Sequence, residues 1–353
     1  MWVNTIGTRP VRLDTETAHR VIEKCRHWKG GSRRPPSTPR GTADNPLVLN
    51  PVMWPSFGSR LGRCLNRLSI IRALHKATST FSTPPIVLTT LPITAGLIGH
   101  VEASKWVYYC VDDFTVWPGY DGATMRAMER DLLAGVDEVI AVSESLVERI
   151  GRLGRDASLL THGIDLGRWS QRSCATVPDE LFGLEQPFVV FWGVIDRRMN
   201  VDWLARLSAR MTRGSIVLFG PTAAPLPSLA RIPRVRMRPA VPYAHLPRIA
   251  ASASVLIMPY ADLPVTRAMQ PLKLKEYLAT SKPVVVSRLP ATVPWADACD
   301  VADSADAFSE AVVRRLDCQP SPGQLAARER LHDESWHAKA AALREVITTS
   351  RPD

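Results

Sequence analysis

The 353-residue chain is bounded first by what it lacks. Its longest apolar stretch, Ile86 to Ile98, is interrupted by Pro92 and Gly96, so nothing reaches the roughly 18 to 20 residues of a membrane-spanning helix. The N-terminal residues do not show the basic-then-apolar order of a secretory leader. Six cysteines (Cys25, Cys64, Cys110, Cys174, Cys299 and Cys318) are scattered, with no CxxC pair among them. That spacing argues against a zinc site and a disulfide framework, and fits a reducing cytoplasm. No group of histidines and carboxylates has metal-ligand spacing, and no DxD motif stands at an expected strand end. Helix-turn-helix, RNP and zinc-finger patterns are missing as well, which sets nucleic acid aside as a partner.

Positive charge, by contrast, is plentiful: the net charge is +10. Such a balance fits an anionic membrane face or phosphorylated substrates. Membrane-surface association is preferred over the plainer reading, an arginine-rich composition without functional meaning. The 45% hydrophobic and 22% charged fractions are those of a globular protein. A chain of this length exceeds one ordinary core and fits two domains.

Short apolar runs alternate with helical periods throughout. Strands are expected at Trp2 to Ile6, Leu47 to Asn50, Ile86 to Thr90, Lys105 to Cys110, Glu138 to Val142 and Ser158 to Thr161. Helices are expected over 14–28 (capped by Asp14 or Thr15), Arg60 to Ala77, Met125 to Ala134, and from Ser143 onward. The Arg60 to Ala77 helix is read from the spacing of Leu61, Leu65, Leu68, Ile71 and Leu74. Residues 29–45 form a Gly/Ser/Pro/Arg-rich loop. The pattern loses its period over 166–186, which reads as a linker, and restarts with the buried strand that ends at Gly193. The fold class is therefore α/β, with two doubly wound parallel-sheet domains. The expected division is 1–165, the linker 166–186, a second domain 187–325, and a terminal helix 326–353 with Trp336, Leu343 and Ile347 facing inward.

The stretch from Val255 to Ser287 organises the second domain. A buried strand ends at Pro259, a polar loop carries Asp262 and Arg267, and Pro271 opens a helix bearing Lys273, Lys275 and Glu276. A second apolar strand follows, Pro283 to Val286. This is a βαβ unit, whose ligands bind outside the carboxyl ends of the strands.

The string P-x-K-x-x-E-Y-L-A-x-x-K-P-V-V, Pro271 to Val285, resembles the donor-site signature of retaining GT-B glycosyltransferases that use nucleotide sugars. The resemblance implies two Rossmann-like domains facing a central crevice, with the terminal helix crossing back to the first. It implies that Glu276 accepts both ribose hydroxyls of the nucleotide, as a carboxylate can. Lys273, beside the helix N-terminus opened by Pro271, then meets the diphosphate. Lys275 reads as a solvated surface charge. The loop from Gly193 to Arg198 resembles the one that receives the diphosphate, with Gly193 admitting the backbone and Arg198 offering a guanidinium fork. Where such families often carry another glutamate, this chain has Ala268, so sugar recognition falls to Asp262, Thr266 or Arg267. Asp112 and Asp113 end a strand of the first domain, where Asp113 is the preferred catalytic or acceptor-orienting group. Glu129 and Ser143 match family positions but read as a helix contact and an N-cap. His162 reads as a turn residue and His245 as a neighbour of a helix cap.

Related chains place a further strand, glycine loop and helix before the segment that MWVNTI resembles. The expectation is therefore a domain that starts one unit late, with its first strand at or next to an open sheet edge and poor solubility or activity alone. As a whole the resemblance implies metal-independent sugar transfer, without a cofactor, to a glycan or polyprenyl-linked acceptor in bacterial surface-polysaccharide assembly. The setting it implies is the cytoplasmic face of the membrane. The competing expectations are a non-catalytic GT-B scaffold or partner subunit, and a GT-B nucleotide-sugar epimerase.

Overall fold

The computed structural model describes residues 1–5, 46–54, 57–169, 177–223 and 227–349. The helix expected over 14–28 and the basic loop 29–45 lie outside the described residues, as does the middle of the expected linker. The chain divides into two compact units: residues 1–140 with 153–155, and residues 141–152 with 156–353. The sequence pattern alone puts the division later, within 166–186.

In the first unit, β1 (Trp2–Val3) pairs in parallel with β2 (Val48–Leu49), Trp2 opposite Val48. Helix α1 (Arg60–Thr78) starts at Ser59, whose hydroxyl accepts from the Gly62 amide at 3.0 Å, an N-cap that satisfies an otherwise unpaired donor. β3 (Ile86–Thr89) and β4 (Lys105–Cys110) run parallel, Ile86 opposite Lys105. Asp121 caps α2 (Gly122–Gly135), and β5 (Glu138–Ala141) follows. The strands of this unit lie in the order β3-β4-β5, and β6 (Ser158–Leu159) belongs by residue to the second unit.

The α1 helix forms where its leucine spacing predicts, but of its leucines only Leu74 lies on the inner face. Leu61, Leu65 and Leu68 are 71%, 47% and 41% exposed, whereas Gly62, Asn66, Ile70 and Leu74 are buried. Spacing fixes the period of a helix, not which of its sides meets the sheet.

The second unit holds α3 (Glu144–Arg152), α4 (Leu166–Trp169), β7 (Phe188–Trp192), α5 (Val201–Arg210), β8 (Ser215–Phe219) and β9 (Val235–Arg238). It continues through α6 (Leu246–Ser252), β10 (Val255–Met258), α7 (Pro264–Ala268), α8 (Leu272–Leu278), β11 (Val284–Ser287), β12 (Asp300–Ala302) and α9 (Ala305–Arg315). Its sheet has the order β12-β11-β10-β7-β8-β9, parallel at every pairing. Strands β7, β8, β10 and β11 are buried along their whole length, as a parallel sheet covered on both faces requires. Order 11-10-7-8 places consecutive crossovers on opposite sides of β7 and β10, so the chain reverses direction between these two strands. Ligands of open α/β sheets collect at such a switch point.

The carboxyl ends of β7 and β8 close on two glycines. Gly193 and Gly220 have φ of +138° and +146°, and a Cβ on Gly220 would stand 1.9 Å from the Gly193 carbonyl oxygen. No other residue fits there.

After α10 (Pro322–Ala327), the chain enters α11 (Trp336–Thr348), which has no fully buried residue. Trp336 is 51% exposed, and Leu343 and Ile347 are half-buried, so the inward face expected of this helix is corrected to a partly covered one. Its start is stitched to residues before α4: the Ile164 amide donates to the Glu334 carbonyl at 2.9 Å, and the Trp336 amide to the Ile164 carbonyl at 3.1 Å. Gly163 permits this, since a Cβ there would meet the Trp336 Cα at 2.8 Å.

Candidate functional site

The residues singled out in the second unit converge at the carboxyl ends of β7 and β10. Helix α8 begins after Pro271 and presents Lys273 and Glu276 one turn apart, positions that share a helix face. The Lys273 ammonium lies 4.5 Å from the centroid of the Phe191 ring and 4.8 Å from that of Tyr260, and donates to the Tyr260 hydroxyl. A Cβ on Gly193 would stand 2.3 Å from Lys273 Nζ. The glycine therefore gives the lysine its room, and the aromatic faces hold the cation in place.

Glu276 is 4% exposed. Trp192 Nε1 donates to its Oε2 at 2.8 Å and the Tyr243 hydroxyl to its Oε1 at 2.8 Å. Burial pushes its pKa up; the two hydrogen bonds and the charge of Lys273 oppose this, and the net direction is upward. Behind it, Trp169 stacks on Trp192 with centroids 5.4 Å apart and meets Tyr243 edge-on at 5.8 Å. Tyr243 carries Arg168 over its ring at 5.1 Å. Two donors on a carboxylate leave further lone pairs, so the group can still accept.

Arg198 is buried and held by its neighbour: its backbone amide and Nε both reach Asp196 Oδ1, at 3.0 and 2.9 Å. Its guanidinium carbon lies 5.9 Å from the Tyr260 ring centroid, which brings it to the aromatic that also carries Lys273. Arg267, on α7, is exposed and pairs with Asp262 through two bonds of 2.5 and 2.6 Å. Thr266 is buried and structural, accepting from the Leu263 amide at 2.9 Å and donating to the Ala261 carbonyl at 2.6 Å. Of the three loop residues expected to read the sugar, only Asp262 and Arg267 keep an outward position.

Lys275 departs most from expectation. It is 1% exposed and donates to Thr161 Oγ1 at 3.0 Å, to the His162 carbonyl and to Glu334. Glu334 also accepts from Lys339 at 2.8 Å and from Thr161 at 2.7 Å. The solvated charge predicted at this position is corrected to a buried ion pair that ties α8 to the segment before α11. His162, next to it, is pushed down to about 4 by burial and by the Lys275 charge.

In the first unit, Asp112 and Asp113 follow β4 as predicted. Asp113 is buried, and its Oδ1 accepts from the Thr115 amide at 3.0 Å and the Thr115 hydroxyl at 2.6 Å, the local bonding of an Asx turn. Phe114 beside it stacks on Tyr120 at 5.9 Å. Glu129 accepts from the Tyr108 hydroxyl at 2.9 Å within the core. Ser143 caps α3, its hydroxyl accepting from the Leu146 amide at 3.3 Å and donating to the Ala268 carbonyl at 2.6 Å. His245 precedes α6 and bonds Glu180 at 2.8 Å. Among the described residues no group of three or more His, Cys, Asp or Glu side chains could hold a metal ion.

Sequence reasoning missed Trp192, Tyr243, Tyr260 and Trp169. Trp192 and Tyr260 each stand at the end of a buried apolar run, beside Gly193 and Pro259, and that placement is a usable signal. Trp169 and Tyr243 lie in stretches with no period.

Residues 186–318 match the family model of glycosyl transferases group 1. A protein of Bacillus subtilis (strain 168) named as the teichuronic acid biosynthesis glycosyltransferase TuaH is 24% identical over 176 residues, covering 48% of this chain and 44% of that protein. The chain thus matches less than half the length of this relative. Among solved structures, the sucrose-phosphate synthase of Thermosynechococcus elongatus superposes with a TM-score of 0.66 at 15% identity, over 95% of this chain and 93% of that one. Anabaena HepE, solved in complex with UDP and glucose, gives a TM-score of 0.63 at 13% identity over 86% of each chain. The lipopolysaccharide outer core galactosyltransferase WaaB gives 0.57 at 12% identity, over 98% of this chain and 99% of that one. With its parallel sheets, the chain has the GT-B fold of these solved structures, and residues 186–318, which include the Pro271 to Val285 string, are similar to glycosyl transferases group 1.

Proposed function

We propose that the chain transfers a sugar from a nucleotide diphosphate donor to a glycan or lipid-linked acceptor in the assembly of a bacterial surface polysaccharide. The observation that carries this reading is the convergence of Lys273, Glu276 and Gly193 at the switch point of the second sheet. Glu276 accepts the ribose hydroxyls with the lone pairs that Trp192 and Tyr243 leave over. Gly193 lets the diphosphate approach the backbone, and Lys273 exchanges its bond to the Tyr260 hydroxyl for a phosphate oxygen. Arg198, oriented by Asp196, supplies a second cation. Charge that builds on the leaving diphosphate is then met by side chains already in position, with no metal required. Asp113 orients the acceptor hydroxyl from the first unit, and retention at the anomeric carbon follows the family resemblance.

Support for a nucleotide donor comes from HepE, whose structure holds UDP and glucose. Support for the pathway comes from the TuaH and WaaB names, and the +10 charge supports work at an anionic membrane face. A non-catalytic scaffold is the second reading, favoured by Ala268 and by the Asp262–Arg267 pair that engages the remaining loop charges. Titration calorimetry with UDP and uridine, in EDTA and in magnesium, tests the donor site. The expected result is UDP bound more tightly than uridine and equally well in both buffers. Failure to bind UDP sinks the reading. UDP binding without turnover of any UDP-sugar, by transfer or by hydrolysis, favours the scaffold.

A further inference from the structure

The two donors on Glu276 differ in how firmly they are held. Trp192, which donates from Nε1 to Oε2 at 2.8 Å, is 5% exposed. Its indole lies parallel to Trp169 at 5.4 Å and meets the Tyr277 ring edge-on at 4.4 Å. Its backbone amide donates to the Tyr277 hydroxyl at 3.2 Å, and its strand stays paired to the last residue, Trp192 opposite Phe219. Neither ring nor backbone can shift without opening close-packed contacts. Tyr243, the donor to Oε1, stands on a single turn (Tyr243–His245) and is 46% exposed. Water can take the place of its hydroxyl. The enclosed indole N–H has no such substitute.

An indole N–H donates and never accepts, and a carboxylate offers acceptor sites on both oxygens. The bond from Trp192 therefore favours ionised Glu276 over the neutral acid, which spends part of that capacity on its own proton. The carboxylate needs this help, because burial drives its pKa up against the bonds from Trp192 and Tyr243 and the charge of Lys273. Of the titratable groups that face it, Lys273 is a cation, while Tyr243 and Tyr277 are phenols that burial pushes up and keeps neutral. Arg168 stands one layer further out, over the Tyr243 ring. Only the ionised form has lone pairs for two ribose hydroxyls beside its two protein donors.

We propose that Trp192 is the positioning residue of the donor site: its immobile indole N–H aims the Glu276 carboxylate, holds it ionised, and thereby makes the site select ribose over 2′-deoxyribose. Trp192 acts through Glu276, as a packed neighbour holds a binding group in its productive geometry. The inference rests on the donor reading under Proposed function, which it narrows to ribonucleotides.

Calorimetry with UDP and 2′-deoxy-UDP, from acid to neutral pH, tests it on the wild type, Trp192→Phe and Tyr243→Phe. Both ligands carry the same diphosphate, so its own titration cancels in their affinity ratio. The wild type should bind UDP about tenfold or more tightly at neutral pH, as a lost hydrogen bond to a charged group predicts. That preference should fade as pH drops through the folded pKa of Glu276. Trp192→Phe removes a bond to the charged form, which raises that pKa further. The limb should therefore move to higher pH, and the neutral-pH preference should fall about threefold or more. Tyr243→Phe should change both readouts less. If Trp192→Phe weakens both ligands by one common factor and leaves the limb in place, Trp192 only packs and the proposal is overturned, with the donor reading still standing. Should that variant not fold, Trp192 replaced by benzothienylalanine decides by the same two readouts, since it keeps the bicyclic ring and carries sulfur in place of N–H. Equal binding of the two ligands by the wild type overturns the proposal together with the ribose contact of Glu276, and no binding of UDP at all removes the donor site itself.

Discussion

Lys273 Nζ occupies the space that a side chain at Gly193 would need: a Cβ there would lie 2.3 Å from it. The lysine is the flexible partner of this contact, while the glycine at φ +138° is fixed by the hydrogen bond that its N–H donates to the Phe219 carbonyl at 2.9 Å. Gly193→Ala should therefore leave a folded protein, destabilised by about 1 to 3 kcal/mol through backbone strain, whose Lys273 is pushed aside. UDP affinity should fall and uridine affinity should not. In the Lys273→Ala background the same change should cost little further UDP affinity, because contacting residues are not additive. Full additivity in calorimetry would show that the two do not share a ligand.

Lys273→Ala and Arg198→Ala should each weaken UDP far more than uridine. Equal losses for both ligands would place these side chains in folding and not in phosphate binding. Arg198 has a second control in Asp196→Asn, which removes the charge holding its Nε and should reproduce part of the loss.

Glu276 combines a binding role with a cost to stability. Its folded pKa is raised, burial being the main cause and opposed by Trp192, Tyr243 and Lys273. For an acid raised on folding, stability is greatest below the unfolded pKa near 4.5 and declines as pH rises through the folded value. Glu276→Gln should therefore hold or gain stability at pH 7 while losing about 1 to 3 kcal/mol of UDP affinity, as expected for hydrogen bonds to a charged group. Glu276→Ala should lose the same affinity and also leave the Trp192 Nε1 donor unpaired. Unchanged UDP binding in either folded variant removes Glu276 from the donor site.

The parallel order of the second sheet was legible because its strands are continuous apolar runs, such as Phe188 to Trp192 and Val255 to Met258, bounded by glycine and proline. The positions of Lys273 and Glu276 were legible because the motif fixes their spacing on one helix. Lys275 was misread because periodicity identifies a helix but not the side that meets the core, as the exposed Leu61, Leu65 and Leu68 of the correctly expected α1 also show. Nothing near Lys275 in sequence announces Glu334, its ion-pair partner 59 residues away. The aromatic surround of Glu276 was equally hidden, since Trp169, Trp192 and Tyr243 come from three separated segments. Pairings of that kind are made by topology and carry no local signal.

The Lys275–Glu334 pair gives a pH prediction with a definite sign. Burial raises the Glu334 pKa, but bonds from Lys275, Lys339 and Thr161 outweigh it, and the net direction is downward. A lowered carboxylate contributes stability that is present above the unfolded pKa near 4.5 and is lost as pH falls through the folded value. The melting temperature should therefore drop below pH 4.5, and Glu334→Gln should flatten that limb. Lys275→Met, which strands Glu334 with Lys339 and Thr161 only, should cost about 3 kcal/mol at pH 7, the low end for breaking a buried pair. A pH limb identical in wild type and Glu334→Gln would mean that other carboxylates govern the acid transition.

Asp113 separates a turn from a catalytic group. Its Oδ1 accepts two bonds from Thr115, and an asparagine carbonyl can accept both, so Asp113→Asn keeps the turn and removes only the charge. Asp113→Ala removes both and should lower the melting temperature by an amount matching about 1 kcal/mol, the usual worth of such a local bond. If Asp113 orients the acceptor or stabilises charge at the reacting carbon, Asp113→Asn should lower kcat by about tenfold or more, with the KM for the donor nearly unchanged. If the residue serves the turn alone, Asp113→Asn should turn over like wild type while Asp113→Ala loses stability. A parallel fall of donor affinity and turnover in the asparagine variant would contradict both roles. It would tie the β4 turn to the donor site instead.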